Sequence, residues 1–240
     1  MNELRVLPKK AVLFDMDGVL VDVRSSYRKA IQETVRYFTG KRASLEEIQG
    51  LKEKGGYNND WDLTEAILST RGRKIPRVTV IAMFQKYYFG CSGQGYIRNE
   101  KWLLSREILE RLNKRFVTGI VTGRPRQEVL FVLERFEMKD LFRVIISLED
   151  YPEEKSKPDP YPIILALKTA GVKNAFYIGD SVDDMISAKR AGIEPIGCIP
   201  PGIRDKNCLK EILLKAGAKK VLENIAEIDG FCQACGVCRD

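Results

Sequence analysis

The chain contains no histidine. That absence excludes every chemistry that leans on imidazole, including Ser-His-Asp and Cys-His nucleophiles and His-ligated zinc. Proton transfer must then fall to carboxylates or lysine. Long apolar runs are also missing: no stretch approaches the ~20 residues that a membrane span needs. The N-terminal MNELRVLPKK has no apolar core of a signal peptide. Low-complexity tracts and internal repeats are absent, which disfavours disorder and solenoid folds. Cysteines number six, and three of them, Cys232, Cys235 and Cys238, crowd the C-terminus, unlike the spacing of a secreted disulfide framework. A globular, cytoplasmic protein is the expectation, with no membrane partner.

What is present begins with 44% hydrophobic and 30% charged residues in a 240-residue chain, enough to bury a core without staples. Net charge is +7, but its 40 basic residues are spread along the sequence, so they read as solvated surface and an anion-attracting field. No nucleic-acid partner is expected. The stretch AVLFDMDGVLVD, residues 11 to 22, organises the rest. Ala11 to Phe14 is a continuous apolar run suited to a strand buried on both faces of a parallel sheet. Asp15 and Asp17 follow two apart, and Gly18 lets the chain turn away beside them. Strand ends of open α/β sheets bind ligands, and a carboxylate pair there points to a nucleophile with an acid/base, to a magnesium site, or to both.

After Asp22 the pattern is helical for about eighty residues. Ser25 or Ser26 opens a helix ending at Gly40; Ser44 and Glu47 form a capping box for a second; Asp60 opens a third and Pro76 a fourth. From Gly95 the chain returns to alternation, with strands at about 116–121, 143–147, 174–179 and 193–198. Helices are expected at about 105–113, 125–135, 160–170, 181–190 and 205–216. The fold class is therefore α/β, a Rossmann-like parallel sheet of order about 3-2-1-4-5 carrying an inserted helical domain. The expected division is a core of residues 1–22 and 100–230, an insert of 23–99 and a Cys-rich tail of 231–240.

Each later strand ends in a polar signature on the same sheet edge. Thr122 and Gly123 precede Pro125 at a helix start, an anion cradle. Lys157 lies directly before Pro158, which restricts it. Asp180 ends the strand AFYIGD, with Asp183 and Asp184 entering the next helix. Converging carboxylates cost about 4 kcal/mol per pair at 4 Å and an effective dielectric of about 20. A divalent cation would remove that penalty, and oxygen ligands argue for Mg2+.

With these four signatures in order, the sequence resembles the haloacid dehalogenase superfamily. DMDGVLVD at 15–22 matches its first motif, Thr122 the second, Lys157 the third and GDSVDD at 179–184 the fourth. The helical insert is similar to the family's C1 cap, as in phosphoglycolate phosphatase relatives. The resemblance implies a phosphoric monoester hydrolase acting on a small phosphorylated metabolite. Asp15 would take the phosphoryl group as an aspartyl phosphate, and Asp17 would protonate the leaving alcohol and then activate water. Magnesium would be held by the Asp15 side chain, the Asp17 carbonyl and Asp180, with Asp184 or Asp183 in support. Thr122, Gly123 and Lys157 would hold the phosphoryl oxygens. A sugar phosphomutase is the alternative, although such enzymes typically carry a histidine just after the first motif, where this chain has DVRSSYRK.

Specificity in capped enzymes falls to residues facing the core across the cleft. The candidates are Arg24, Tyr27, Arg28, Asn58, Asn59, Asp60, Trp61 and Arg124, with Asp60 expected to meet an amine on the substrate and Arg124 a second anionic group. The tail offers three thiols at two-residue intervals, a possible metal or redox module, with a disulfide or a flexible unliganded tail the simpler reading. Monomer and homodimer are both compatible with the sequence.

Overall fold

The structure is a computed structural model that describes residues 10–57 and 59–235. In chain order the elements are β1 (Lys10–Phe14), β2 (Val21–Asp22), α1 (Tyr27–Thr39), α2 (Leu45–Lys54), α3 (Asp60–Thr70), α4 (Arg77–Tyr88), β3 (Lys101–Trp102), α5 (Arg106–Asn113), β4 (Val117–Val121), α6 (Arg126–Arg135), β5 (Val144–Ile146), α7 (Tyr161–Ala170), β6 (Asn174–Gly179), α8 (Val182–Arg190), β7 (Glu194–Cys198), α9 (Lys206–Ala216), β8 (Lys220–Leu222) and α10 (Ile228–Ala234), with short 3₁₀ turns between some of them.

The main sheet runs β5-β4-β1-β6-β7-β8, with every pairing parallel. The expected 3-2-1-4-5 order stands, extended by β8 at one edge. Period two decides where each β1 side chain goes. Val12 and Phe14 enter one apolar cluster with α5, α6, α10 and the inserted helices, while Ala11 and Leu13 enter another beneath α7. All four are fully buried, and each large one contributes about 1.5–3 kcal/mol. The apolar residues of the insert, such as Ile31, Leu63 and Phe84, belong to the same cluster as Phe14. Core and insert share one interior on that side.

Both ends of the insert are tied together. β2 pairs antiparallel with β3, Val21 opposite Trp102 and Asp22 opposite Lys101. The capping box at Ser44 and Glu47 forms as the sequence predicts, and Asn59 caps α3 through Trp61 N at 2.8 Å. Ser26 precedes α1 but makes no side-chain cap; its hydroxyl instead donates to Glu100 Oε1 at 2.8 Å. The C-terminal stretch also departs from expectation: Phe231 and Cys232 lie in α10, Cys232 is buried, and Phe231 meets the Phe176 ring edge-on at 5.0 Å. Cys232 and Cys235 are free thiols, and Cys238 lies outside the described residues. No described helix is long and apolar enough to cross a membrane.

Candidate active site

β1 delivers Asp15 to the carboxyl edge of the sheet, where its amide donates to Ile178 O on β6 at 2.8 Å. Gly18 sits at φ 77°, and a Cβ there would stand 2.2 Å from Asp180 Oδ2, so only glycine lets the loop pass the second carboxylate. Asp15 is 4% exposed, and the Lys157 ammonium is its counter-charge. Lys157 Nζ donates to Asp15 Oδ1 at 2.7 Å, to Asp184 Oδ1 at 2.6 Å and to the Tyr177 hydroxyl at 2.9 Å. All three donors of the ammonium are therefore assigned. Asp184 is fixed from its other side by a capping box with Ser181, and Gly179 leaves the room it needs.

One oxygen each from Asp15, Asp180 and Asp184 lie within 4.8 Å of one another. Burial pushes the Asp15 carboxyl up to about 7, against the pull of Lys157. Burial likewise holds Asp180 well above its ordinary value, with Asp184 and Asp15 adding to the effect. A buried, all-oxygen, mutually repelling set suits a hard divalent cation, whose charge would reverse these shifts, so these residues fit Mg2+. The cluster contains Asp184 rather than Asp183, whose carboxylate instead accepts from Gly56 N at 3.0 and 3.1 Å, joining insert to core. The Asp17 side chain stands outside the cluster.

Thr122 and Gly123 follow β4 and line the same cleft as Asp15, Asp17 and Asp180. Thr122 N donates to Ile146 O at 3.0 Å, and its hydroxyl accepts from Arg124 N at 3.2 Å. Arg124 is a correction. Expected to face substrate, it is 1% exposed and engaged with protein groups: Nε donates to Asp17 Oδ1 at 2.6 Å, and Nη1 to Glu100 Oε2 and the Tyr88 hydroxyl, each at 3.0 Å.

The insert provides the opposite wall. Arg24 is a neighbour of the cleft but pairs with Asp22, its Nη2 2.7 Å from Oδ2. Arg28 Nη2 donates to Gln49 at 2.8 Å. Asn59 and Trp61 line the cleft, although Asn59 spends its side-chain oxygen on the α3 cap; Asn58 lies outside the described residues. Asp60 also differs from expectation, because it is buried and its Oδ1 lies 2.9 Å from Lys52 Nζ. The cation it meets belongs to the chain itself. Lys52, Glu100, Tyr88 and Tyr177 were not singled out by sequence reasoning. Tyr177 left a trace, a phenol inside an otherwise apolar strand. The other three acquire their roles only through partners distant in the chain.

Tyr27 does not reach into the cleft alone: its ring stacks on Tyr88 at 4.0 Å and its hydroxyl donates to Glu128. Glu128 also accepts from Gln85 Nε2 at 2.6 Å. Burial pushes Glu128 up to about 7, despite Tyr27, Arg124 and Gln85 favouring its charged form. The native state thus keeps a proton that the unfolded chain has released, so the stability this group contributes is complete below its unfolded value and is lost as pH rises through about 7. Glu128→Gln abolishes that slope. In calorimetry the variant's Tm should gain several degrees on the wild type between about pH 5 and about pH 8, whereas a constant gap would refute the assignment.

A family model described as haloacid dehalogenase-like hydrolase matches residues 12–198. The chain is 38% identical over 227 residues to an imidazoleglycerol-phosphate dehydratase from Phytophthora nicotianae, covering 91% of this chain and 49% of that one, so it spans about half the length of that relative. It is 29% identical over 187 residues to a putative pyrophosphatase, PpaX, from Caldanaerobacter subterraneus, covering 78% of this chain and 80% of that one. A conserved haloacid dehalogenase-like protein of unknown function from Agrobacterium tumefaciens shares the fold at a TM-score of 0.72 and 18% identity, over 95% of this chain and 99% of the other. The model match begins at β1 and ends with β7, enclosing every strand-edge group described above, and by it the chain belongs to the haloacid dehalogenase-like hydrolases.

Proposed function

We propose that the protein is a magnesium-dependent phosphatase that hydrolyses a small phosphorylated metabolite through an aspartyl phosphate on Asp15. The observation that carries this reading is the single ammonium of Lys157 set 2.7 Å from Asp15 and 2.6 Å from Asp184, with Asp180 completing the carboxylate cluster. A fixed cation beside a carboxylate at a strand end orients the nucleophile and meets the charge of an incoming phosphoryl group. Asp15 attacks phosphorus, and the bond to the leaving oxygen breaks as Asp17 supplies its proton. Asp17 then takes a proton from water as that water displaces Asp15. Thr122 and Gly123 would hold the phosphoryl oxygens, and Lys157 would join them by turning one donor away from its present partners. Asp15, Asp180, the Asp17 carbonyl and Asp184 would hold Mg2+, which when bound offsets carboxylate repulsion and neutralises phosphoryl charge.

The body of the substrate would lie against the insert, where Trp61 and Tyr57 supply apolar surface beside Glu53 and Gln49. The name of the Phytophthora relative concerns an imidazole-bearing phosphate, which places such monoesters first in a substrate screen. Against the phosphomutase alternative, the linker after the first motif holds the Asp22–Arg24 pair and the inward-facing Ser26 and Tyr27, with no histidine to relay a sugar proton. Against a metal or redox module at the C-terminus, burial pushes the Cys232 thiol up to about 12, where it is a poor ligand. The test is phosphate release from p-nitrophenyl phosphate with the metal removed by chelation and then restored. Turnover should vanish on chelation and return with magnesium. Turnover indifferent to chelation, or none from folded, metal-loaded protein with any monoester in the screen, would overturn the proposal.

A further inference from the structure

We infer that Arg124 is a positioning residue for the acid–base carboxylate of Asp17, and that the inserted helices set its orientation. The inference rests on the phosphatase reading above and concerns a group which that reading leaves without a role. The guanidinium is buried, and its polar edge is partnered on every side. Nε and Nη2 face Asp17 Oδ1, Nη1 and Nη2 donate to the two oxygens of Glu100 at 3.0 and 3.1 Å, and Nη1 also donates to the Tyr88 hydroxyl. The Tyr27 ring lies 4.8 Å from its central carbon, so one face is stacked as well. A planar fork held at both ends and on a face has no freedom to rotate.

Glu100 alone would neutralise this arginine. Its carboxylate is buried, accepts both ends of the fork, and is itself fixed by Ser26 Oγ at 2.8 Å and the Tyr88 hydroxyl at 3.1 Å. Asp17, whose side chain is 24% exposed on the cleft wall, is therefore a second carboxylate that charge balance does not require. Its Oδ1 is taken by the guanidinium, which assigns the proton-carrying role to Oδ2. In the first step the Oδ2 proton passes to the leaving oxygen as its bond to phosphorus breaks and the bond from Asp15 forms; in the second Oδ2 recovers a proton from the attacking water. Tyr27 opens α1, Tyr88 closes α4 and Glu100 stands just before β3, so three segments of the insert and its return converge on one side chain of the core. The seating of the insert is thereby coupled to the aim of the acid.

The test is a series of aryl phosphates of similar size whose leaving phenols differ in acidity, with kcat/KM measured for the wild type, Arg124→Lys and Tyr88→Phe in the presence of magnesium. Protonation matters most for poor leaving groups, so losing the aim of Asp17 should steepen the dependence on leaving-group acidity. We expect the ratio of kcat/KM for 4-nitrophenyl phosphate over phenyl phosphate to rise at least about tenfold in Arg124→Lys and by a smaller factor in Tyr88→Phe, which removes one hydroxyl with little change in packing. A parallel loss across the series in Tyr88→Phe, whatever the stability of the arginine variant, would mean a purely structural network and overturn the inference while leaving the phosphatase intact. A wild type inactive on the whole series and on every monoester of the screen above would overturn the phosphatase reading, and this inference with it.

Discussion

Asp15→Asn is expected to give a folded protein whose turnover of p-nitrophenyl phosphate falls by about 10⁴-fold or more, the scale seen when an enzyme loses its nucleophile. The amide is nearly isosteric with the carboxylate but carries no charge and attacks phosphorus poorly. Folding should survive because Lys157 keeps Asp184 and Tyr177 as partners. The carboxylate that is lost is one that burial already disfavours, so thermal stability without metal should hold or rise. Circular dichroism and phosphate release on the same preparation decide the matter. A cooperative melt with wild-type turnover would remove Asp15 from the chemistry altogether.

Lys157→Met is the opposite experiment at the same contact. Here the fold, too, should suffer, because the substitution leaves Asp15 and Asp184 facing each other in a buried site with no cation between them. Breaking a buried ion pair from one side costs about 3–5 kcal/mol, which for a chain of this length lowers Tm by roughly 10 °C. Turnover should be lost in parallel, since the nucleophile is no longer oriented. Magnesium should restore part of the Tm, by adding positive charge to the same carboxylates, without restoring activity. A metal-free variant melting within about 2 °C of the wild type would show that Lys157 does not balance this cluster.

The asymmetry between these two variants reflects what a linear sequence can convey. The apolar run of β1, the turn at Gly18 and the polar ends of β4 and β6 are local features, legible as period, spacing and glycine, and they carry the sheet order and the edge at which the carboxylates gather. Thr122, Lys157 and Asp180, which the fold brings to that edge, are legible for the same reason: each stands at a strand end or beside a proline. Arg124 and Asp60 were recognised as charges near the cleft, but their direction was not, because Glu100, Tyr88 and Lys52 decide it from elsewhere in the chain. A charge in a sequence has no stated partner, and burial of both members of a pair is a tertiary fact. β2, β3 and β8, at two or three residues each, are too short for any period to show.

The pairing of β2 with β3 has a consequence on an evolutionary scale. Where a chain leaves a sheet and returns as two hydrogen-bonded strands, the loop between them is closed at its base, and its interior length hardly enters the cost of holding β1 beside β4. Doubling such a loop adds only about 0.6 kcal/mol of closure entropy. A lineage can therefore lengthen, trim or exchange what lies between Asp22 and Lys101 and meet new substrates, while Asp15 stays in register with its neighbours on the sheet.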